Sequence, residues 1–324
     1  MKVGRNVART DPGRKRRGNE DSFVLQPPLF AIADGMGGAK AGEVASALAA
    51  GALEDRNTSQ SGRAHVVELI QEANRRVHER ATTDAATSGM GTTITVALVE
   101  ADGTVTFGHV GDSRAYRLRG DTLEQLTDDH SLVAELVRRG ELSPQAAEVH
   151  PQRSVITRAL GTDPDVDVDA FSVEAEEGDI YLICSDGLSD MVEGTEIERI
   201  LLEHRADLDG AVKALVQAAN RAGGEDNITT VLFEVVGGTD EPDEQTREYV
   251  VPSAEEDTLH PEDGVEPPPA AVDTMVVPAA EIQAALAEEQ EAPPQAGIGR
   301  RLLALLVIIA LIALIVVLVW WGLA

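Results

Sequence analysis

Between residues 22 and 236 the apolar positions alternate between two periods, and each change of period marks the edge of an element. Residues 22–26 and 29–33 flank Pro27-Pro28 and read as the two strands of a hairpin. An Ala-rich stretch over 39–53 carries Val44, Leu48 and Leu53 at helical spacing, and Val66, Ile70, Ala73 and Val77 make one stripe within 64–82. Two amphipathic helices therefore follow the hairpin. The period then falls to two. Runs at 92–99, 104–110, 115–118 and 123–126 are punctuated by Asp102-Gly103 and Gly120-Asp121, which predicts an antiparallel meander.

Residues 131–139 read as a helix stopped by Gly140, whereas 141–153, with Pro144 and Pro151 and little periodicity, reads as a surface flap. Strands are predicted at 180–185 and 228–235, with helices at 196–203 and 208–222 between them. This order predicts an α+β domain with a largely antiparallel sheet system over residues 1–237.

Beyond that point the pattern stops. Residues 238–299 hold sixteen Asp and Glu against one Arg, and nine of the fifteen prolines. So little apolar surface cannot offset the entropy of ordering, so this stretch is expected to be a disordered, self-repelling linker, with helical character only at 279–289. Arg300-Arg301 then precede an uncharged apolar run at 302–321. Twenty residues of helix span about 30 Å, the thickness of a bilayer's hydrocarbon core. A buried core helix is the plainer alternative, but the linker leaves it nothing to pack against. With basic residues only on its N-terminal side, the span is expected to cross the cell membrane once and leave the preceding domain in the cytoplasm. The N-terminus has no apolar stretch of the kind that marks a secretory signal.

The net charge of −29 argues against nucleic acid as a main partner. Cys184 is the one cysteine, which excludes an intramolecular disulfide, and its apolar run Tyr181-Leu182-Ile183-Cys184 reads as core.

Candidate chemistry lies in the acidic residues at the mouths of the predicted strands. Glu20 and Asp21 open the first strand and Asp34 ends the second; Asp112 lies between two strands, Asp186 ends one and Asp226 begins the last. A single Asp in such a place is as readily a turn former or cap. Their number at strand ends instead suggests a shared site, and a site built only of oxygen donors suits Mg²⁺ or Mn²⁺. None of the seven histidines falls in these turns.

The segments Thr10-Asp11, Gly13, Arg16, Asn19-Glu20-Asp21, Asp34-Gly35-Met36-Gly37-Gly38, Gly89-Met90-Gly91-Thr92-Thr93, Gly111-Asp112-Ser113-Arg114, Ile156-Thr157-Arg158-Ala159-Leu160-Gly161, Ser185-Asp186-Gly187 and Asp226-Asn227 occur in this order. Together they resemble the metal-dependent Ser/Thr protein phosphatases of type 2C, in particular bacterial members with a tail and one membrane helix. The resemblance implies a four-layer α-β-β-α sandwich of two antiparallel sheets flanked by helices. It also implies site roles. Asp34 would bridge two Mn²⁺ or Mg²⁺ ions, Gly35 would offer its carbonyl to one, and Asp186 and Asp226 would complete the other. Glu20 and Asp21 would hold metal-bound waters, Asp112 would help form a third metal site, and Arg16 would grip the substrate phosphate. Arg14, Lys15 and Arg17 surround Arg16, and without the resemblance the four are indistinguishable.

Many members of that family have His where this chain has Met36, and that His is thought to protonate the leaving alkoxide. Met donates no proton, so a metal-bound water would have to act instead, or phenolate leaving groups would be favoured. His130 is a distant candidate acid, against the plainer structural reading, and His109 reads as a packing residue. The activity implied is that of a serine/threonine phosphoprotein phosphatase using a bridging hydroxide on the metal pair. Its expected partners are phosphorylated proteins, including a bacterial Ser/Thr protein kinase and that kinase's substrates. The alternative is a catalytically inactive phosphoprotein-binding module tethered to the membrane.

Overall fold

A computed structural model describes residues 1–37, 41–54 and 60–237, and in the tail only the backbone of the dipeptides Glu248–Tyr249 and Met275–Val276. The predicted linker, those dipeptides apart, and the predicted span at 302–321 lie outside the described residues. Among the described residues no helix is long and apolar enough to cross a membrane.

The strands are β1 (Lys2–Asp11), β2 (Asp21–Gln26), β3 (Leu29–Met36), β4 (Gly91–Thr92), β5 (Ile94–Val99), β6 (Thr104–Val110), β7 (Arg114–Arg119), β8 (Thr122–Gln125), β9 (Val155–Ile156), β10 (Asp169–Glu174), β11 (Ile180–Cys184) and β12 (Ile228–Val236). The helices are α1 (Ala41–Glu54), α2 (Arg63–Thr83), α3 (Leu132–Arg138), α4 (Pro144–Glu148), α5 (Asp186–Ser189), α6 (Gly194–Glu203) and α7 (Leu208–Ala222). One sheet runs β1-β12-β11-β7-β8 and the other β10-β6-β5-β3-β2, with β4 beside β3. The pairings among these strands are antiparallel. Glu248–Tyr249 adds in parallel to the outer edge of β1, and Met275–Val276 pairs in parallel with β9.

Period-two alternation separates the layers. On β3, Leu29, Ala31 and Ala33 face the α1–α2 core, while Phe30 and Ile32 point between the sheets. On β11, Ile180, Leu182 and Cys184 face α5–α7, while Tyr181 and Ile183 point inward. The described residues up to 237 thus form a four-layer α-β-β-α sandwich. Cys184 is buried in the outer core, as its apolar run indicates.

Few aromatic residues are present, and several close the space between the sheets. Phe30 from one sheet stacks on Phe233 from the other with ring centroids 4.2 Å apart and planes within 3°. Tyr181 stacks on the same Phe233 at 5.1 Å. Offset aromatic contact of this kind adds to burial.

Besides the two-residue β9, two strands escape the sequence pattern. In β1 the register shifts between Val3 and Asn6, which breaks the alternation, and only Val7 and Ala8 are buried. In the edge strand β10 only Phe171 and Val173 carry the alternation. The predicted meander also divides: β5 and β6 pair with each other, but β7 and β8 belong to the opposite sheet, where β7 pairs with β11. The Gly111-Asp112-Ser113 turn carries the chain from one sheet to the other. The flap at 141–153 contains the short helix α4, capped by Ser143, whose hydroxyl accepts the N–H of Ala146.

Phe233→Ala removes the ring on which both Phe30 and Tyr181 stack. It is expected to cost about 3–5 kcal/mol, read as a lower urea midpoint at unchanged slope.

Candidate metal centre

Each predicted acidic ligand sits where a strand ends, and both sheets contribute. Asp21 opens β2 directly across from Asp34 near the end of β3, and Asp112 follows β6. From the other sheet, Asp186 follows β11 and Asp226 precedes β12. Positions up to 205 residues apart in sequence therefore meet at the seam of the sandwich.

Backbone geometry explains the residues between them. The Gly35 N–H donates to the Glu20 carbonyl at 3.2 Å, and a Cβ on Gly35 would lie 2.2 Å from the Gly42 carbonyl and 2.5 Å from that of Glu20. No side chain fits between β3, α1 and Glu20. Asp34 is fixed from its main chain: its carbonyl accepts the Thr92 hydroxyl at 2.8 Å and the Thr93 N–H at 2.9 Å. Thr93 Oγ1 in turn bonds Ser113 Oγ at 2.8 Å, tying Asp34 to the Asp112 turn.

Asn227 does for Asp226 and Glu20 what these threonines do for Asp34. Its Oδ1 accepts the Glu20 N–H at 2.8 Å, and its Nδ2 donates to the carbonyls of Pro12 and Gly18, both at 2.9 Å. The Asn227 N–H donates to Asp226 Oδ1 at 2.8 Å. A second chain ends on Asp21, whose Oδ2 accepts the Thr229 hydroxyl at 2.6 Å. With that proton committed, Thr229 accepts from Thr10 at 2.7 Å, and Thr10 accepts from Asn19 Nδ2 at 2.7 Å.

The crowd of carboxylates shifts its own titration. Asp34 is held well above the ordinary carboxylate range, first by burial and then by the charges of Asp21, Asp186, Asp226 and Asp112. Asp186 is raised in the same way, by burial and then by Asp112, Asp226, Asp190 and Asp21. Burial, then Asp226, lifts Asp21 to about 7, although the Thr229 hydrogen bond opposes the shift. Burial, then Asp129 and Asp190, lifts Asp112 to about 7.

Whether a cation belongs here is tested by the unused oxygens. Asp21 Oδ1, Asp112 Oδ1 and Asp186 Oδ1 are buried without a hydrogen-bond partner among the described residues. Buried carboxylate oxygens without donors are costly, and a divalent ion would satisfy them. The side chains do not form a finished cage: among the described residues no three His, Cys, Asp or Glu stand in a ready metal-ligand arrangement. Asp226 Oδ2 is instead 2.6 Å from Arg16 and Asp21 leans on Thr229. The donor set fits a hard cation.

Arg16 is thereby separated from its neighbours: it is partly buried on Asp226, whereas Arg14, Lys15 and Arg17 are exposed. Met36 is buried against Ile156 and Ala159. His130 carries structural contacts, its Nε2 lying 3.1 Å from Asp169 Oδ2 and 3.0 Å from Arg158. It is buried, its Nδ1 accepts the Gly111 N–H at 3.0 Å, and its own N–H donates to the Gly111 carbonyl at 2.7 Å, so it clamps the turn that carries Asp112. Sequence reasoning passed over Asp190 and Asp129, both felt electrostatically by Asp112. Asp190 stands one helical turn after Asp186, its N–H donating to the Asp186 carbonyl at 2.8 Å, and that four-residue spacing was its available signal.

The chain is similar to known protein phosphatases. The family model described as protein phosphatase 2C matches residues 18–232. The serine/threonine phosphatase stp of Listeria welshimeri is 43% identical over 238 residues, covering 70% of this chain and 94% of that protein. The crystal structure of the Mycobacterium tuberculosis serine/threonine phosphatase PstP/Ppp superposes with a TM-score of 0.68 at 39% identity, over 72% of this chain and all of that one. A PstP catalytic domain in complex with two manganese ions gives 0.67 at 37% identity, over 73% of this chain and 100% of that one.

His109 yields a pH prediction. Burial, then the neighbouring His130, pushes it down to about 4, and its ring is spent on Thr95 Oγ1 at 2.9 Å and the Asp128 carbonyl at 3.1 Å. Its folded pKa lies below its unfolded value, so the unfolded chain takes up the proton first. The stability it contributes is present above about pH 6.5 and is lost as pH falls towards 4. Between pH 7 and 4 the wild type should therefore lose roughly 3 kcal/mol more than His109→Gln in urea unfolding. Parallel losses would contradict this reading.

Proposed function

The chain belongs to the protein phosphatase 2C family, and on that footing we propose that Asp34, Gly35, Asp186 and Asp226 hold the pair of Mn²⁺ or Mg²⁺ ions on which its activity depends. It is a metal-dependent phosphatase of phosphoserine and phosphothreonine in proteins. The observation that carries the assignment is the set of buried carboxylate oxygens on Asp21, Asp112 and Asp186 that no donor among the described residues meets.

Asp34 is central because the charges of Asp21, Asp186, Asp226 and Asp112 all act on it. When bound, the ions supply Lewis acidity that lowers the pKa of water and offsets charge on the phosphoryl oxygens. Glu20 and Asp21, anchored through Asn227 and Thr229, orient the water shell. Arg16 presents a planar fork of donors of the kind that suits a phosphate, and it bonds Asp226. Asp112, with Asp186 and Asp190 near it, supports a third, looser ion site. Met36 gives the leaving group no proton, so aryl phosphates, whose phenolates leave unaided, are expected to be easier substrates than alkyl ones.

The proposal extends to the tail. Removing phosphate from Ser and Thr opposes a Ser/Thr protein kinase, whose phosphorylated targets, and the kinase itself, are the substrates expected. The uncharged run at 302–321 behind Arg300-Arg301 supports a single membrane span with the catalytic domain in the cytoplasm.

The full chain with Mn²⁺ should release phosphate from phosphothreonine peptides, and Asp34→Asn should lose at least about 10²-fold in kcat while still folding. Retention of turnover by Asp34→Asn would remove Asp34 from the centre. Binding without turnover by the wild type would favour the inactive-module alternative.

On cell fractionation the full chain should sediment with membranes and be freed only by detergent. A chain ending at residue 299 should remain in the supernatant. Release of the full chain by alkaline carbonate would contradict a membrane span.

A further inference from the structure

Residues 14–17, Arg-Lys-Arg-Arg, form the longest run of cations in the chain, within a domain where residues 1–237 carry 24 Lys and Arg against 40 Asp and Glu. Their placement is built rather than loose. Asn227 Nδ2 grips the loop at both stems, through the carbonyls of Pro12 and Gly18. Between those stems the N–H groups of Arg14 and Lys15 donate to the Gly224 carbonyl at 2.8 and 3.2 Å. Gly13 turns there at φ 74°, with Asp226 so close that a Cβ would lie 2.2 Å from its carbonyl oxygen. The segment that bears the cations is thus fastened directly to the segment that bears Asp226.

The four cations divide into two pairs. Arg16 turns inward onto Asp226 at 2.6 Å, and Lys15 pairs with Glu225 at 2.7 Å. Arg14 and Arg17 are exposed, and neither has a carboxylate partner among the described residues. In a domain with so many spare carboxylates, two guanidiniums held unpaired on a fastened loop are available to an anion from outside.

We propose that Arg14 and Arg17 form a reading surface beside the phosphate site, selecting phosphopeptides that carry further negative charge, as a second phosphate or as Asp and Glu, close to the phosphoresidue. This rests on the assignment of Arg16 to the phosphate. A peptide advances about 3.5 Å per residue, so cations one and two residues from Arg16 lie within reach of the first few positions around the phosphoresidue. Guanidinium forks match both phosphate and carboxylate. The same surface offsets the repulsion that the domain's negative charge would otherwise exert on such substrates.

The test uses the full chain with Mn²⁺ and one phosphothreonine peptide in three forms: neutral flanks, Asp and Glu flanks, and a second phosphothreonine. Wild type, Arg14→Gln/Arg17→Gln and Arg14→Lys/Arg17→Lys are compared. The wild type should favour both charged forms over the neutral one by about fivefold to tenfold in kcat/KM, carried by KM and weakened by added salt. The Gln pair should lose that preference while turning over the neutral peptide at the wild-type rate, and the Lys pair should keep most of it. Equal use of all three peptides by the wild type overturns the proposal. So does an equal loss by the Gln pair on every peptide, which would mark a structural role in the loop, or a Lys pair as impaired as the Gln pair. Turnover of the neutral peptide without preference leaves the phosphatase assignment standing; turnover of none overturns both.

Discussion

Like-charge crowding at the seam between two sheets is the constraint around which this domain is arranged. Asp21 and Asp34 arrive on one sheet and Asp186 and Asp226 on the other; the charges of Asp21, Asp186 and Asp226 raise the titration of Asp34, and those of Asp21 and Asp226 raise that of Asp186. Left ionised and unmet, such a group destabilises the fold that gathers it, since the unfolded chain can separate the charges in water. A divalent cation turns the same arrangement from a cost into a source of stability. The aromatic stack of Phe30, Phe233 and Tyr181 fastens the two sheets face to face.

Around the carboxylates, neutral hydrogen-bonding residues do the positioning. Asn227 joins the 12–20 loop to Asp226, threonines at 92, 93 and 229 fix Asp34 and Asp21, and His130 clamps the Asp112 turn. None of these groups need carry charge, so they add order without adding to the repulsion. Contact with Asp226 likewise separates Arg16, partly buried, from the exposed Arg14 and Arg17.

Much of this was legible before any coordinates. Period-two runs and helical stripes placed most elements of both layers because the sandwich buries one face of each strand against helices and the other against its partner sheet. β1 was hidden by a register shift that destroys its alternation, and β10 by having only two apolar residues to show. The division of the meander at Gly111 could not be read, since a turn between strands looks the same whether the chain folds back or crosses to the other sheet. Among the site residues, the strand-end acids were visible singly, and the resemblance joined them. Asp190, Thr229 and the supporting part of Asn227 were not, because their roles depend on partners about 40 to 220 residues distant or on a neighbouring turn.

The account depends on the acidic seam being completed by divalent cations, and calorimetric titration of the metal-free full chain with Mn²⁺ near pH 7, in two buffers of different ionisation enthalpy, tests it most directly. Carboxyls raised to about 7 should give up protons as the metal enters, and the bound chain should melt at a higher temperature. Binding heat independent of the buffer, or the same melting temperature with and without Mn²⁺, would contradict the claim that cations relieve the crowding.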